Sequence, residues 1–322
     1  MTAIYGIDVG NYDIKSSHTA TPSGYIESKL LPPSTDEYLF YNGTYYIPTE
    51  ERHPYHYDKT VDERCLIYTL FGLSKEILFR VKEGCDIQTS IDKVHHITLA
   101  AGLPPAHYAT LVDKTKSYYK EMFGDKIDFV YSGYNYSLIL DDVSIYPQDY
   151  TAVMMNKKAF SVIEQNKKGV VYAIDIGGMT VDYVPISKGK VVMGDADSIE
   201  KGMNKMYDTI IQKVRMTMGH TILTTNIEQV LSNSYSILPD EAKKLIYESA
   251  NTWAETIVAS LKAKGMDLWS NPAIFLGGGT LLLKDFLKKN KELEHCVFIE
   301  TPNVNARAFE KAAKAEKTAS TK

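Results

Sequence analysis

Cysteine is nearly absent from this 322-residue chain: Cys65, Cys85 and Cys296 are scattered, odd in number and without C-x-x-C spacing. That excludes a disulfide framework, indicates no zinc motif and fits a reducing cytosol. A surplus of one charge is also lacking. Against 40 Asp and Glu stand 36 Lys and Arg, a net charge of -4, which gives no electrostatic footprint for strong direct binding to nucleic acid. The longest uncharged stretch, Val94 to Val112, contains Pro104, Pro105 and three histidines, so it does not read as a membrane span. At the amino terminus no basic segment precedes an apolar run and Asp8 arrives early, so a secretion signal is not expected. The expectation is a soluble, cytoplasmic protein with no membrane partner. Two nucleotide signatures are missing as well. There is no G-x-x-x-x-G-K-[ST], which excludes a P-loop, and no G-x-G-x-x-G after the first strand, which disfavours a Rossmann site.

What is present reads as globular: 44% apolar and 24% charged residues can build a sizeable core, and the length fits roughly two domains. Tyrosine, with 23 copies, is a type enriched at protein interfaces. Ala3 to Lys15 reads as a hairpin around Gly10 and Asn11. Ser28 to Tyr57 reads as short strands and loops, and Asp62 to Lys82 as a helix ended by Gly84. A short strand over His96 to Ala101 is followed by a helix from Ala109 to Phe123 and by strands at Ile127 to Tyr131 and Tyr136 to Tyr146. One helix from Ala152 to Gln165 then carries the chain onward.

The pattern restarts with a hairpin at Val171 to Pro185, a strand near Lys190 to Met193 and a helix over Glu200 to Met218. A long helix from Pro239 to Lys264 is the clearest in the chain, with Ile246, Ala250, Trp253, Ile257 and Leu261 on one face. The strand Ala273 to Leu276, a Gly-rich turn, a helix to Lys289, the strand Val297 to Glu300 and a helix over Asn305 to Ala315 complete the order. Beyond Lys317 a mobile polar tail is expected. This is a two-lobed α/β pattern.

The most informative feature is an internal echo. Ile7-Asp8-Val9-Gly10 and Ile174-Asp175-Ile176-Gly177 share one pattern, with an aliphatic residue four positions after each Gly, at Ile14 and Val181. Aspartate is disfavoured in strands and costly to bury among aliphatics unless it is paired or faces a cation, so two such acids suggest a shared metal. The glycines permit positive φ and close approach of backbone N–H groups to an anion, for which phosphate is the natural candidate. Two hairpins, each giving amides to phosphate and a carboxylate to hydrated Mg²⁺, would clamp a nucleotide between the lobes. The alternative is a pair of tight hairpins whose Asp only caps the turn. Lys15 supplies a cation within reach of a phosphate. Ile274 to Thr280, a strand opening through Gly277, Gly278 and Gly279 into a helix, lets a ligand lie against backbone.

These segments resemble the actin, heat-shock chaperone and sugar-kinase ATPase superfamily. GIDVGNYDIKS is similar to its first phosphate motif, AIDIGGMTVDYV to its second and IFLGGGTLLL to its adenosine motif; Tyr146 to Asp149 and Asn303 to Ala313 look like its connecting segments. The resemblance implies an actin-like, ribonuclease H-like α/β fold of two lobes with a nucleotide in the interdomain cleft. One lobe would span 1–149 with the terminal helix 303–322 returning to it, the other 150–302. It places Asp8 and Asp175 at magnesium through water, Gly10, Asn11 and Lys15 on the β-phosphate side, and Gly177, Gly178 and Thr180 on the γ-phosphate side. Gln148 would orient the attacking water with Asp175 assisting as a base. Gly277 and Gly278 would approach the adenosine, and the helix start at Gly202 to Lys205 the ribose or base. Asn11, Tyr12 and Met179 depart from residue types common in relatives, and Asp182 is assigned no chemistry.

The chain is short for a chaperone with its peptide-binding domain, and its Ala- and Lys-rich terminus does not look like a membrane helix. The likeness is therefore to plasmid-segregation actins of the ParM type. It implies an ATPase using ATP, with GTP possible, and Mg²⁺, which self-associates into nucleotide-dependent filaments. Those filaments would segregate a plasmid through a DNA-binding adaptor at its centromere. The alternatives are a small-molecule kinase, for which no motif supplies a substrate-facing base, and a bacterial cell-shape or division actin.

Overall fold

The first apolar run forms strand β1 (Ala3–Val9), buried along nearly its whole length, and β2 (Asp13–Ser16) returns antiparallel to it. The computed structural model describes residues 2–33, 37–54, 58–84 and 94–320. Cys85 lies outside the described residues. Two units form, Met1–Met155 with Asn303–Lys322, and Asn156–Pro302.

In the first unit follow β3 (Ala20–Pro22), β4 (Tyr25–Ser28), β5 (Leu39–Tyr41), β6 (Thr44–Pro48) and helix α1 (Arg64–Lys82). Then come β7 (Val94–Leu103), α2 (Pro105–Phe123), β8 (Ile127–Tyr131), β9 (Tyr134–Pro147) and α3 (Tyr150–Met155). Among the described residues the strands build one sheet in the order β3-β2-β1-β7-β9-β8-β5-β6-β4. β1, β7 and β9 run parallel at its centre, which is why β1 is almost continuously apolar.

Helix α1 is buried on most sides, including Glu76 and Arg80. Buried charges persist only when paired. Arg80 meets Glu76 at 2.7 Å and Glu310 of the terminal helix, Val304–Ser320, at 2.6 Å. Ser16 Oγ donates to Glu76 and Ser17 Oγ to Glu310, so β2, α1 and the terminal helix share one network. That helix seats Phe309, wholly buried, against Tyr146, Ile4 and Ala100, a burial that stabilises by roughly 2–3 kcal/mol. It runs to Ser320, past the end at Ala315 expected from the sequence, and Lys317 Nζ donates to Thr98 Oγ1 at 2.5 Å.

In the second unit the order is α4 (Lys157–Gln165), β10 (Val170–Ile176), β11 (Val181–Ser187), β12 (Lys190–Val191), β13 (Asp197–Ile199) and α5 (Met203–Met218). It continues with α6 (Thr224–Leu231), α7 (Asp240–Ala263), β14 (Ala273–Leu276), α8 (Gly278–Leu287) and β15 (Cys296–Phe298). The sheet order is β12-β11-β10-β14-β15, with β13 paired to β11 and with β10, β14 and β15 parallel.

Two expectations change here. The single helix over Ala152 to Gln165 is broken at Asn156, whose extended backbone and side-chain oxygen cap α4 by accepting from the Lys158 and Ala159 N–H groups, both at 3.1 Å. Helix α6 is unanticipated, because it offers only the short apolar set Ile227, Val230 and Leu231 to the core. No helix among the described residues is long and apolar enough to cross a membrane.

Candidate functional site

In the first unit Asp8 is 7% exposed and stands opposite Lys15 across β1 and β2, with Val9 opposite Ile14. The loop between them closes where the Gly10 N–H donates to Asp13 O at 3.1 Å. The positive φ that a glycine permits is not used at Gly10. Glycine is required for space: a Cβ at Gly10 would lie 2.5 Å from Asp13 O.

The carbonyls of this turn are braced from outside. Ser23 Oγ donates to Gly10 O at 2.7 Å, Arg52 Nε donates to Tyr12 O at 3.2 Å, and Lys59 Nζ donates to Val9 O. The Arg52 guanidinium also lies 4.0 Å above the Tyr12 ring. Burial pushes the Asp13 carboxyl above its usual range against the pull of Lys15 and Arg52. Ser23, Arg52 and Lys59 went unread in sequence, since they sit in irregular segments with no periodic signal. Asn11 and Lys59 line the same cavity as Gly10 and His53.

Gln148 follows the end of β9. Its backbone N–H donates to Leu103 O at 2.8 Å, and its Nε2 donates to Asp8 Oδ1 at 2.7 Å. In that orientation the amide donates and the carboxylate oxygen accepts. The structure thus gathers Asp8, Gly10, Lys15 and Gln148 at one end of the central strands. Asp149, next in the chain, is left-handed with φ of +57° and exchanges hydrogen bonds with Asn305: the Asp149 N–H donates to Asn305 Oδ1 at 3.0 Å, and Asn305 Nδ2 donates to Asp149 Oδ1 at 3.3 Å.

The second unit repeats the turn in the same register. Ile176 stands opposite Val181, and the Gly177 N–H donates to Thr180 O at 2.9 Å. Where the first turn sets Asp8 opposite Lys15, here Asp175 stands opposite Asp182. Thr180 Oγ1 donates to Asp182 Oδ2 at 3.2 Å. Helix α5 docks end-on against this turn: the N–H groups of Gly202, Met203 and Asn204 donate to the carbonyls of Met179, Gly177 and Gly178. Three of the four open donors of the helix start are thereby satisfied by the turn itself.

Gly277 caps α8 with φ of +91°, a conformation that favours glycine, and a Cβ there would lie 1.9 Å from Asp175 Oδ1. The Asp175 carboxylate accordingly rests beside the start of α8, which begins at Gly278 and where the helix dipole favours negative charge. Asp175, Gly177, Gly178, Thr180, Gly202 and Gly277 are all brought to this one place.

The solved structure of Ta0583, an archaeal actin homologue, superposes with a TM-score of 0.70 at 16% identity, over 98% of this chain and 100% of that one. The chain has the actin-like fold. Residues 173–289 of the actin-like chain match the family model described as archaeal actin homologue MreB-like, C-terminal. Bacillus thuringiensis ParM, solved with ATP, superposes with a TM-score of 0.67 at 14% identity, over 98% of this chain and 99% of that one. The pCBH ParM non-polymerisable quadruple mutant superposes with a TM-score of 0.67 at 18% identity, over 98% and 100%. A Ta0583 structure is also known in complex with ADP. No curated protein matches this actin-like chain.

Proposed function

We propose that this actin-like chain is an ATPase that binds ATP and Mg²⁺, with GTP as the alternative nucleotide. Hydrolysis is coupled to assembly into filaments that segregate plasmid DNA through a DNA-bound adaptor. The observation that carries the reading is the repeated turn: an Asp, one aliphatic residue, and a Gly whose N–H closes a four-residue loop, once in each unit. Support for nucleotide and assembly comes from the fold shared with a ParM solved with ATP and with a ParM described by its non-polymerisable mutant.

Gly10, Asn11 and Lys15 serve the β-phosphate, and Gly177, Gly178 and Thr180 the γ-phosphate. Gly277 and Gly278 lie along the adenosine, with Gly202 toward the ribose or base. The residues fit a magnesium ion held mainly by water. Asp8 and Asp175 each offer one carboxylate, and magnesium is commonly bound through one or two carboxylates while keeping several waters. Asp175 stands directly opposite Asp182, and a cation would offset the repulsion that like charges at such positions exert. When bound, Mg²⁺ neutralises phosphate charge. With Gln148 Nε2 committed to Asp8, its Oε1 is the amide atom left to accept from and orient the attacking water, and Asp175 assists as a base.

The test is light scattering and pelleting of the purified protein with and without ATP and Mg²⁺, read beside phosphate release. Nucleotide-dependent assembly is expected, and Gln148→Ala and Asp175→Ala slow phosphate release more than assembly. No polymer over a wide concentration range, or parent-like release by both variants, overturns the reading.

A further inference from the structure

We infer that Asn305, on the terminal helix, is a positioning residue that holds Gln148 against Asp8 by clamping Asp149. The inference rests on the role proposed for Gln148.

The chain must turn sharply between the end of β9 and the start of α3, and it does so over Gln148 and Asp149, with Asp149 in a left-handed conformation that costs energy for a residue with a Cβ, though less for Asp and Asn than for other types. Something has to hold it there. One planar amide holds it at two points: Asn305 Oδ1 accepts the Asp149 N–H at 3.0 Å, while Asn305 Nδ2 donates to Asp149 Oδ1 at 3.3 Å. Asp149 is 3% and Asn305 7% exposed, so water is not available to replace either bond. Thr151 Oγ1 adds a bond to Pro147 O at 2.7 Å on the far side of the turn.

Gln148 shares a peptide bond with the clamped residue. Its own backbone is fixed by Leu103 O at 2.8 Å, and its side chain spans to Asp8 Oδ1 at 2.7 Å. Rotation of the Asp149 backbone out of the left-handed region would turn the peptide that joins it to Gln148, and the contact with Asp8 would be lost. An amide is the group suited to this task, since it offers a donor and an acceptor side by side. An aspartate at 305 would lack the donor, and an alanine would lack both.

Three variants of the full chain separate the clamp from general stability. Asn305→Ala removes both bonds. Asp149→Gly removes the side-chain bond and frees the backbone. Asp149→Asn keeps the acceptor and tolerates the left-handed conformation. The first readout needs no nucleotide: the solvent exchange of the Gln148 side-chain amide, followed by NMR. In the parent and in Asp149→Asn this amide is protected by Asp8, and in Asn305→Ala and Asp149→Gly it exchanges freely. The second readout is ATP turnover. Relative to the parent, kcat falls roughly tenfold to a hundredfold in Asn305→Ala with nucleotide affinity little changed, the signature of a misplaced group, whereas Asp149→Asn keeps the parent's kcat. A Gln148 amide still protected in Asn305→Ala overturns the inference, as does a loss as large in Asp149→Asn. A parent that turns over no ATP defeats the proposed function instead, and the exchange readout still decides the clamp.

Discussion

The Asp175 carboxylate occupies the space in which a Cβ on Gly277 would stand, with 1.9 Å between Oδ1 and that position. Glycine at 277 is therefore a condition for the placement of Asp175. Gly277→Ala both strains a backbone at φ of +91° and expels the carboxylate, so a loss of about 2–4 kcal/mol in urea unfolding is expected, with weakened nucleotide binding. Unchanged unfolding would mean that Asp175 does not lie against this turn.

The two turns differ in the charge of the residue that faces the Asp. Asp8 faces Lys15, whereas Asp175 faces Asp182, and like charges directly opposite on neighbouring strands are destabilising by about 0.2–1 kcal/mol. Asp182→Asn should therefore raise the thermal midpoint in the absence of magnesium. It should also reduce the further rise that magnesium and nucleotide bring to the parent. A midpoint unchanged without metal would show that the pair carries no electrostatic cost.

Much of the frame is legible because it is local. Ile7-Asp8-Val9-Gly10 and Ile174-Asp175-Ile176-Gly177 announce two equal hairpins, and they share register down to the closing hydrogen bond. Helix α7 follows its apolar spacing and ends at Ala263, just ahead of Gly265. What stayed hidden depends on partners far along the chain. Gln148 reaches Asp8 across 140 positions, and Asn305 reaches Asp149 across 156. No periodicity records such pairs, and Gln148 enters the sequence reading only through the resemblance. Lys59 braces Val9 from an irregular segment, and its type alone would place it in solvent. The break at Asn156 escaped for a related reason, since a capping side chain outweighs helical spacing on either side.

The network of Arg80 with Glu76 and Glu310 makes the first unit sensitive to acid in a defined direction. Burial raises both carboxyls, but hydrogen bonds from Ser16 and His18 and the Arg80 charge outweigh it at Glu76. Arg80 with Lys314 and Ser17 does so at Glu310. Both groups end below the ordinary value of 4.5, so their contribution is complete above that pH and is lost as the pH falls through the lowered values. Glu310→Gln should give a shallower decline of unfolding free energy over that acid range. Arg80→Ala takes from two buried carboxylates the guanidinium they share, leaving Glu310 with Lys314 and Glu76 with His18, and should cost about 3–5 kcal/mol near neutrality. The deficit should shrink below pH 4.5, because the two acids can then be protonated. Urea unfolding of parent and variant at both pH values measures this, and a deficit that stays constant or grows in acid would show that Arg80 acts through packing and not through its charge.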